Sequence, residues 1–127
     1  MGMRILVVDD SNANGDALRD LLELEGAKVV VEASPNAAIK LALKKRFDLL
    51  ISDIAMPEID GYAMLQAIRA GSMNATTPAI AYSGYSGPQE LLRARNAGFE
   101  IHLTKPVDVR TLLKTIEEVG RRKAEAD

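Results

Sequence analysis

Five polar side chains stand where runs of aliphatic residues stop. Asp9 and Asp10 close "RILVVDD", Asp53 closes "LLISD", Ser83 follows "AIAY", and Lys105 follows "IHLT". Three carboxylates gathered within a few ångströms repel one another, so such a cluster either protonates or takes up a cation. Oxygen ligands without histidine or cysteine suit a hard ion, Mg²⁺ foremost, which keeps several waters and also binds phosphate oxygens. A hydroxyl and an ammonium complete the set that phosphoryl transfer requires. These are a carboxylate nucleophile, a metal that offsets negative charge, and a cation with a donor for the equatorial oxygens. Taken singly, each residue has an ordinary explanation. An Asp after a strand is often a turn residue or a cap, and Asp10 or Ser11 would serve to cap the helix that follows. A lone lysine is usually a solvated surface group. Their joint placement at four of five strand ends carries the argument. Pro106, directly after Lys105, either holds a cis bond that aims the lysine or simply leads the last helix.

The elements that position these residues follow from periodicity. Continuous aliphatic runs at Ile5–Val8, Val29–Val31, Leu49–Ile51, Ala79–Tyr82 and Ile101–Leu103 suit strands covered on both faces. Helical spacing lies between them. Ala17, Leu18, Leu21 and Leu22 form one apolar stripe, stopped at Gly26. Ser34 and Pro35 read as N-cap and first helical position, with Ile39, Ala42 and Leu43 facing inward. Tyr62, Leu65 and Ile68 or Arg69 mark a third helix after Asp60-Gly61, ending near Gly71. Pro88 to Ala97 is a fourth, closed by Gly98. Asp108 caps a fifth, whose inner face is Leu112, Leu113, Ile116 and Val119 and whose stop is Gly120. Residues 121–127 are expected to be a tail. Five βα units call for a parallel sheet with right-handed crossovers and helices on both faces. In such sheets sites form outside the carboxyl ends of the strands, where strand order reverses. If the order is 2-1-3-4-5, all five polar residues converge on one edge.

The chain has 127 residues, enough for one domain, with its core expected over about 3–120. A formal net charge of -2 gives no argument for nucleic-acid or membrane attraction. No apolar run approaches the roughly 20 residues of a membrane span. Cysteines are absent, which excludes disulfides and thiol chemistry. The early first strand leaves no room for a signal peptide, and a cytoplasmic protein is expected.

The segments "RILVVDDS", "DLLISDIAMPEIDGYAML", "AIAYSGYS" and "GFEIHLTKPVDVRTLL" resemble the response-regulator receiver domain, the phosphoacceptor module of two-component signalling. The resemblance covers nearly the whole chain, with the motifs in the family's order and spacing. It implies a flavodoxin-like (βα)5 fold of strand order 2-1-3-4-5. It also implies that Asp53 accepts a phosphoryl group from a phosphohistidine, of a histidine kinase or a histidine phosphotransfer protein. Asp9 and Asp10 would then hold Mg²⁺ with Asp53, the backbone carbonyl of Ala55 being a further ligand. Ser83 matches the switch hydroxyl, and Lys105 the lysine that pairs with the phosphoryl group. The family's aromatic switch position, three before that lysine, is here His102, which is smaller, polar and able to titrate near neutrality. Ala55 replaces a frequent polar residue. An output surface toward an unknown downstream protein is expected near Leu92, Arg95, His102 and Arg110. The stretch from Ala81 to Asp108 also looks like receivers at the C-terminus of hybrid sensor kinases.

Rival readings fail on particular residues. A haloacid-dehalogenase-like phosphatase needs a second Asp two residues after its nucleophile. Ser11, Asn12 and Ala55 stand at those places after Asp9, Asp10 and Asp53. A nucleotide or flavin module needs a phosphate-binding loop after the first strand. "DDSNANGD" is acidic there, and its lone Gly15 falls within the predicted helix. A degenerate receiver, acting as a phosphorylation-independent interaction module, remains the alternative, with His102 as its support.

Overall fold

Each aliphatic run becomes a strand because the helices on either side of it cover both of its faces. The computed structural model describes residues 2–84 and 87–126, with backbone alone for 123–126. Tyr85 and Ser86, between Ser83 and Pro88, lie outside the described residues, as do Met1 and Asp127. The order is β1 (Arg4–Val8), α1 (Asn12–Leu24), β2 (Lys28–Glu32), α2 (Pro35–Lys44), β3 (Leu49–Asp53), α3 (Gly61–Ala70), β4 (Ala79–Ser83), α4 (Pro88–Ala97), β5 (Ile101–Thr104) and α5 (Val109–Ala126). The five strands form one parallel sheet of order β2-β1-β3-β4-β5, the flavodoxin-like arrangement. The reversal point lies between β1 and β3, where Asp9 and Asp10 follow β1 and Asp53 ends β3.

Alternation along the strands divides the core in two. Leu6, Val8, Leu50, Ala79 and Ala81 pack with residues of α2, α3 and α4, among them Ala38, Leu65 and Ala94. Ile5, Val7, Leu49, Ile51, Ile80 and Tyr82 pack with Leu22 of α1 and Leu112, Ile116 and Val119 of α5. Each fully buried aliphatic side chain stabilises the fold by roughly 1.5–3 kcal/mol relative to exposure. That parity decides which functional side chains can meet. Asp53 and Tyr82 fall on the α1/α5 face, while Ser83 and His102 fall on the α4 face.

Helix starts follow the expected chemistry. Ser11 Oγ accepts from Asn14 N–H, Ser34 Oγ from Ala37 N–H, and Asp60 Oδ1 from Ala63 N–H. Ser11 is therefore the cap of α1, which settles the choice between it and Asp10. Asp108 Oδ2 likewise accepts from Thr111 N–H at 3.1 Å.

Three expectations need correction. Ala17 and Leu43 are exposed, not inward-facing. The inner positions are Gly15 and Leu22 in α1, and Ala38 and Ala42 in α2. Small residues let these helices lie close to the sheet and turn the larger side chains outward. Gly120 does not stop α5, which continues to Ala126 through residues expected to be a tail. One interior glycine costs a helix only about 1 kcal/mol. The next turn is joined to the helix by an Arg122–Glu118 ion pair at 2.7 Å. No helix among the described residues is long and apolar enough to cross a membrane.

Candidate functional site

β1 and β3 lie side by side, with Val8 in register with Ser52, so the residues that follow are delivered to one place. One carboxylate oxygen from each of Asp9, Asp10 and Asp53 lies within 4.8 Å of the others. Asp9 and Asp53 are buried and Asp10 is exposed, so the cluster opens to solvent on one side only. The donors are all hard oxygens, and this set fits a magnesium ion. Ala55, whose carbonyl was expected to join them, lies exposed in the turn after β3.

Each buried carboxylate is anchored. Asp53 Oδ1 accepts from Ile54 N–H at 2.7 Å, and its Oδ2 accepts from Lys105 Nζ at 2.9 Å. Lys105 Nζ also stands 3.8 Å from Asp9 Oδ2. The lysine thus lies between two buried acids, and the Lys105–Pro106 bond that follows it is cis. Asp9 Oδ1 accepts from Ser11 N–H at 2.8 Å. Its Oδ2 accepts from the hydroxyl of Tyr82. Burial is the main reason that the Tyr82 hydroxyl is pushed far above its ordinary range, with the Asp9 bond second, so this group keeps its proton. The Lys105 ammonium lies 4.6 Å from the centre of the Tyr82 ring.

Ser83 and His102 meet on the other face of the sheet. Ser83 is buried at the end of β4, with its Oγ 3.1 Å from His102 Nε2. Register places Ala81 opposite His102 and Ser83 opposite Thr104, which makes the contact a near-diagonal one. Partial burial holds His102 below its ordinary value, with Glu90 pulling the other way.

Every residue expected at the site from its place at a strand end is at the sheet's carboxyl edge. Asp9, Asp10, Asp53 and Lys105 form one constellation, and Ser83 forms a neighbouring pair with His102. Tyr82 was not singled out from sequence, where it reads as the last core residue of the fourth strand. A signal was present: a buried tyrosine needs a partner for its hydroxyl, and alternation puts Tyr82 on the same face as Asp53. Beside Lys105 and Tyr82, a cleft of about 560 Å³ opens between α1 and α5, lined also by Leu18, Leu21, Val107 and Leu112.

Residues 5–117 match the profile of the response regulator receiver domain. The chain is 40% identical over 116 residues to an uncharacterized 14.6 kDa protein of the sodA1 3′ region of Leptolyngbya boryana, covering 91% of this chain and 88% of that protein. Sensor and transcriptional regulatory proteins among the relatives are longer, and the chain spans 50% of RprY of Bacteroides fragilis, 13% of GacS of Pseudomonas syringae and 10% of BvgS of Bordetella bronchiseptica. A CheY-like response regulator receiver domain protein from Methanospirillum hungatei JF-1 has the same fold, with a TM-score of 0.92 at 28% identity over 100% of both chains. The receiver domain of the sensor histidine kinase PA1611 from Pseudomonas aeruginosa PAO1 superposes with a TM-score of 0.86 at 26% identity, over 94% of this chain and 98% of that one. That structure holds a magnesium ion in its active-site cleft.

Proposed function

Because this chain belongs to the response regulator receiver domain family of two-component signalling, we propose that Asp53 accepts a phosphoryl group from a phosphohistidine. The donor is a histidine kinase or a histidine phosphotransfer protein, and the setting is cytoplasmic. The observation that carries this reading is the convergence of three carboxylates, with Lys105 Nζ 2.9 Å from Asp53 Oδ2. A carboxylate oxygen of Asp53 attacks phosphorus. The P–O bond forms as the P–N bond breaks, and the imidazole leaves with the bonding electron pair and takes a proton from solvent.

Asp9, Asp10 and Asp53, with the carbonyl of Ala55, would hold Mg²⁺. When bound, it offsets the negative charge that otherwise keeps a phosphoryl group away from three acids. Lys105 follows its charge partner: its ammonium moves from the Asp53 carboxylate to an oxygen of the new phosphoryl group. Ser83 donates its hydroxyl to another. The protein is an acceptor and signalling module that assists its own phosphorylation, not a multiple-turnover enzyme.

Phosphorylation adds roughly -1.5 to -2 charge and three acceptor oxygens. Drawing Ser83 toward them takes its hydroxyl from His102 Nε2, so the change passes from Asp53 to β5. The surface that reads it comprises α4, β5 and α5, where Leu92, Arg95 and Arg110 are exposed. Its partner is a downstream protein, with no nucleic acid or membrane bound by this chain alone. Ala55 offers a methyl group where a polar side chain would position or block water, so the acyl phosphate lifetime is set mainly by the metal site and local shielding. An unchanged lifetime in Ala55→Asn and Ala55→Arg would remove that position from the account.

The test is incubation with Mg²⁺ and acetyl phosphate, followed by intact mass measurement. A phosphoryl mass gain is expected, abolished by Asp53→Asn. No gain, with Mg²⁺ binding also absent, would leave an interaction module that works without phosphorylation.

A further inference from the structure

Tyr82 touches two members of the acceptor site and has no part in the chemistry above. It is 6% exposed and lies in β4, between β3 and β5, its Cα in register with Asp53. Its hydroxyl donates to Asp9 Oδ2, and its ring lies under the Lys105 ammonium. Asp9 itself is fully buried, and its other oxygen is held by Ser11 N–H.

We propose that the Tyr82 hydroxyl sets the affinity of the acidic cluster for a divalent cation, holding it below what the three carboxylates would give without that bond. The inference rests on the acceptor reading and adds to it a residue that tunes the metal site. A hydroxyl hydrogen and a metal ion both draw on the electron density of the Asp9 carboxylate, and each leaves less for the other.

Two effects of the hydroxyl oppose each other. As a brace it fixes Asp9, and losing a brace commonly weakens metal binding. As a hydrogen-bond donor it stabilises the carboxylate charge of the metal-free cluster, and losing that donor leaves more of the Asp9 charge for a metal. The brace is duplicated, because Ser11 N–H holds Oδ1 and complete burial leaves the side chain no room to swing. The hydrogen bond to Oδ2 is not duplicated: Lys105 Nζ bonds to Asp53 Oδ2 at 2.9 Å and reaches Asp9 Oδ2 only as an ion pair at 3.8 Å. The second effect therefore wins. Tyr82→Phe isolates it, since the ring beneath Lys105 is retained.

Mg²⁺ binding to the parent chain and to Tyr82→Phe, measured by calorimetry, decides the matter. The variant is expected to bind about tenfold more tightly, the size of effect that one hydrogen bond to a charged group carries. Its melting temperature is expected to fall without metal and to recover at saturating Mg²⁺. A merely structural tyrosine would lower both melting temperatures alike. An equal or weaker affinity in Tyr82→Phe overturns the inference while leaving the acceptor reading intact. A parent chain that neither binds Mg²⁺ nor gains phosphoryl mass overturns both. Should Tyr82→Phe not fold, the parent suffices. The Tyr82 hydroxyl proton, observed by nuclear magnetic resonance, is expected to move upfield as Mg²⁺ is added and its hydrogen bond weakens. A resonance that stays in place while Mg²⁺ binds overturns the inference.

Discussion

His102, the chain's single histidine, is half-buried on β5 with Nε2 on Ser83 Oγ and with a buried Nδ1 that meets no hydrogen-bond partner among the described residues. Its ordinary value of 6.5 is lowered in the fold, chiefly by burial. As pH falls, the unfolded chain therefore takes up the proton first. Stability is full above about pH 6.5 and declines below it, because the unfolded state then binds more protons. His102→Phe removes both the titration and the orphaned nitrogen. Its stability in urea is expected to fall less between about pH 7.5 and about pH 5.5 than that of the parent. Equal declines would exonerate the histidine. The sequence placed both Ser83 and His102 at the right edge, yet it could not show them bonded to each other. That bond depends on the register of β4 against β5, and register is settled by tertiary pairing. Tyr82 escaped notice for a similar reason. Its apolar body satisfied the strand pattern, and only the three-dimensional approach of Asp9 gives the hydroxyl a purpose.

Two close backbone approaches explain glycines whose neighbours alone would not require them. A Cβ at Gly61 would stand 2.5 Å from the carbonyl oxygen of Asp53 and 3.0 Å from Ile54 Cα. Gly61 N–H also donates to the Ile54 carbonyl at 2.8 Å, so the first turn of α3 rests on the strand end that carries Asp53. Gly61→Ala must push that backbone aside. It is expected to cost about 1–3 kcal/mol, as overpacking does, and to slow labelling of Asp53 by acetyl phosphate. In α1, a Cβ at Gly15 would come within 2.6 Å of Val31 Cγ1. Gly15→Ala gains about 1 kcal/mol of helix propensity, but the clash with a stiff β-branched side chain outweighs it. The variant is expected to melt lower than the parent, and adding Val31→Ala should recover part of the loss. A Gly15→Ala variant as stable as the parent would show that α1 can lift off β2 at no cost. Element types and order were readable because strand runs, caps and breakers all agreed. Inner faces were less so. Ala17 and Leu43 fit an apolar stripe, but Gly15, Ala38 and Ala42 let the helices lie closer than the stripe assumes.

The sheet has two dissimilar ends. At the carboxyl end sit the acids, Lys105, Ser83 and the exposed turns around them. At the amino end sits Asn74, a buried side chain that nothing in the sequence pattern singles out. Its Oδ1 accepts from Phe47 N–H and from the Thr77 hydroxyl, and its Nδ2 donates to the carbonyls of Ala42 and Lys45. Arg69 extends the network, donating to the carbonyls of Asn74 at 2.9 Å and of Gly98 at 3.1 Å. Truncation to Asn74→Ala leaves several buried groups unpaired at once. A loss of roughly 2–4 kcal/mol is expected from the denaturant midpoint, with phosphoryl uptake retained in the folded fraction. A loss under about 1 kcal/mol would mean that water replaces the amide without penalty. The cross-brace has a further consequence for motion. It fastens the turn that follows α4 to the base of α3, while the opposite tip of α4 lies toward the sheet's carboxyl edge. Any displacement set off at that edge must therefore swing the helix about a fastened heel, moving Leu91 and Leu92 through a wider arc than Ala97.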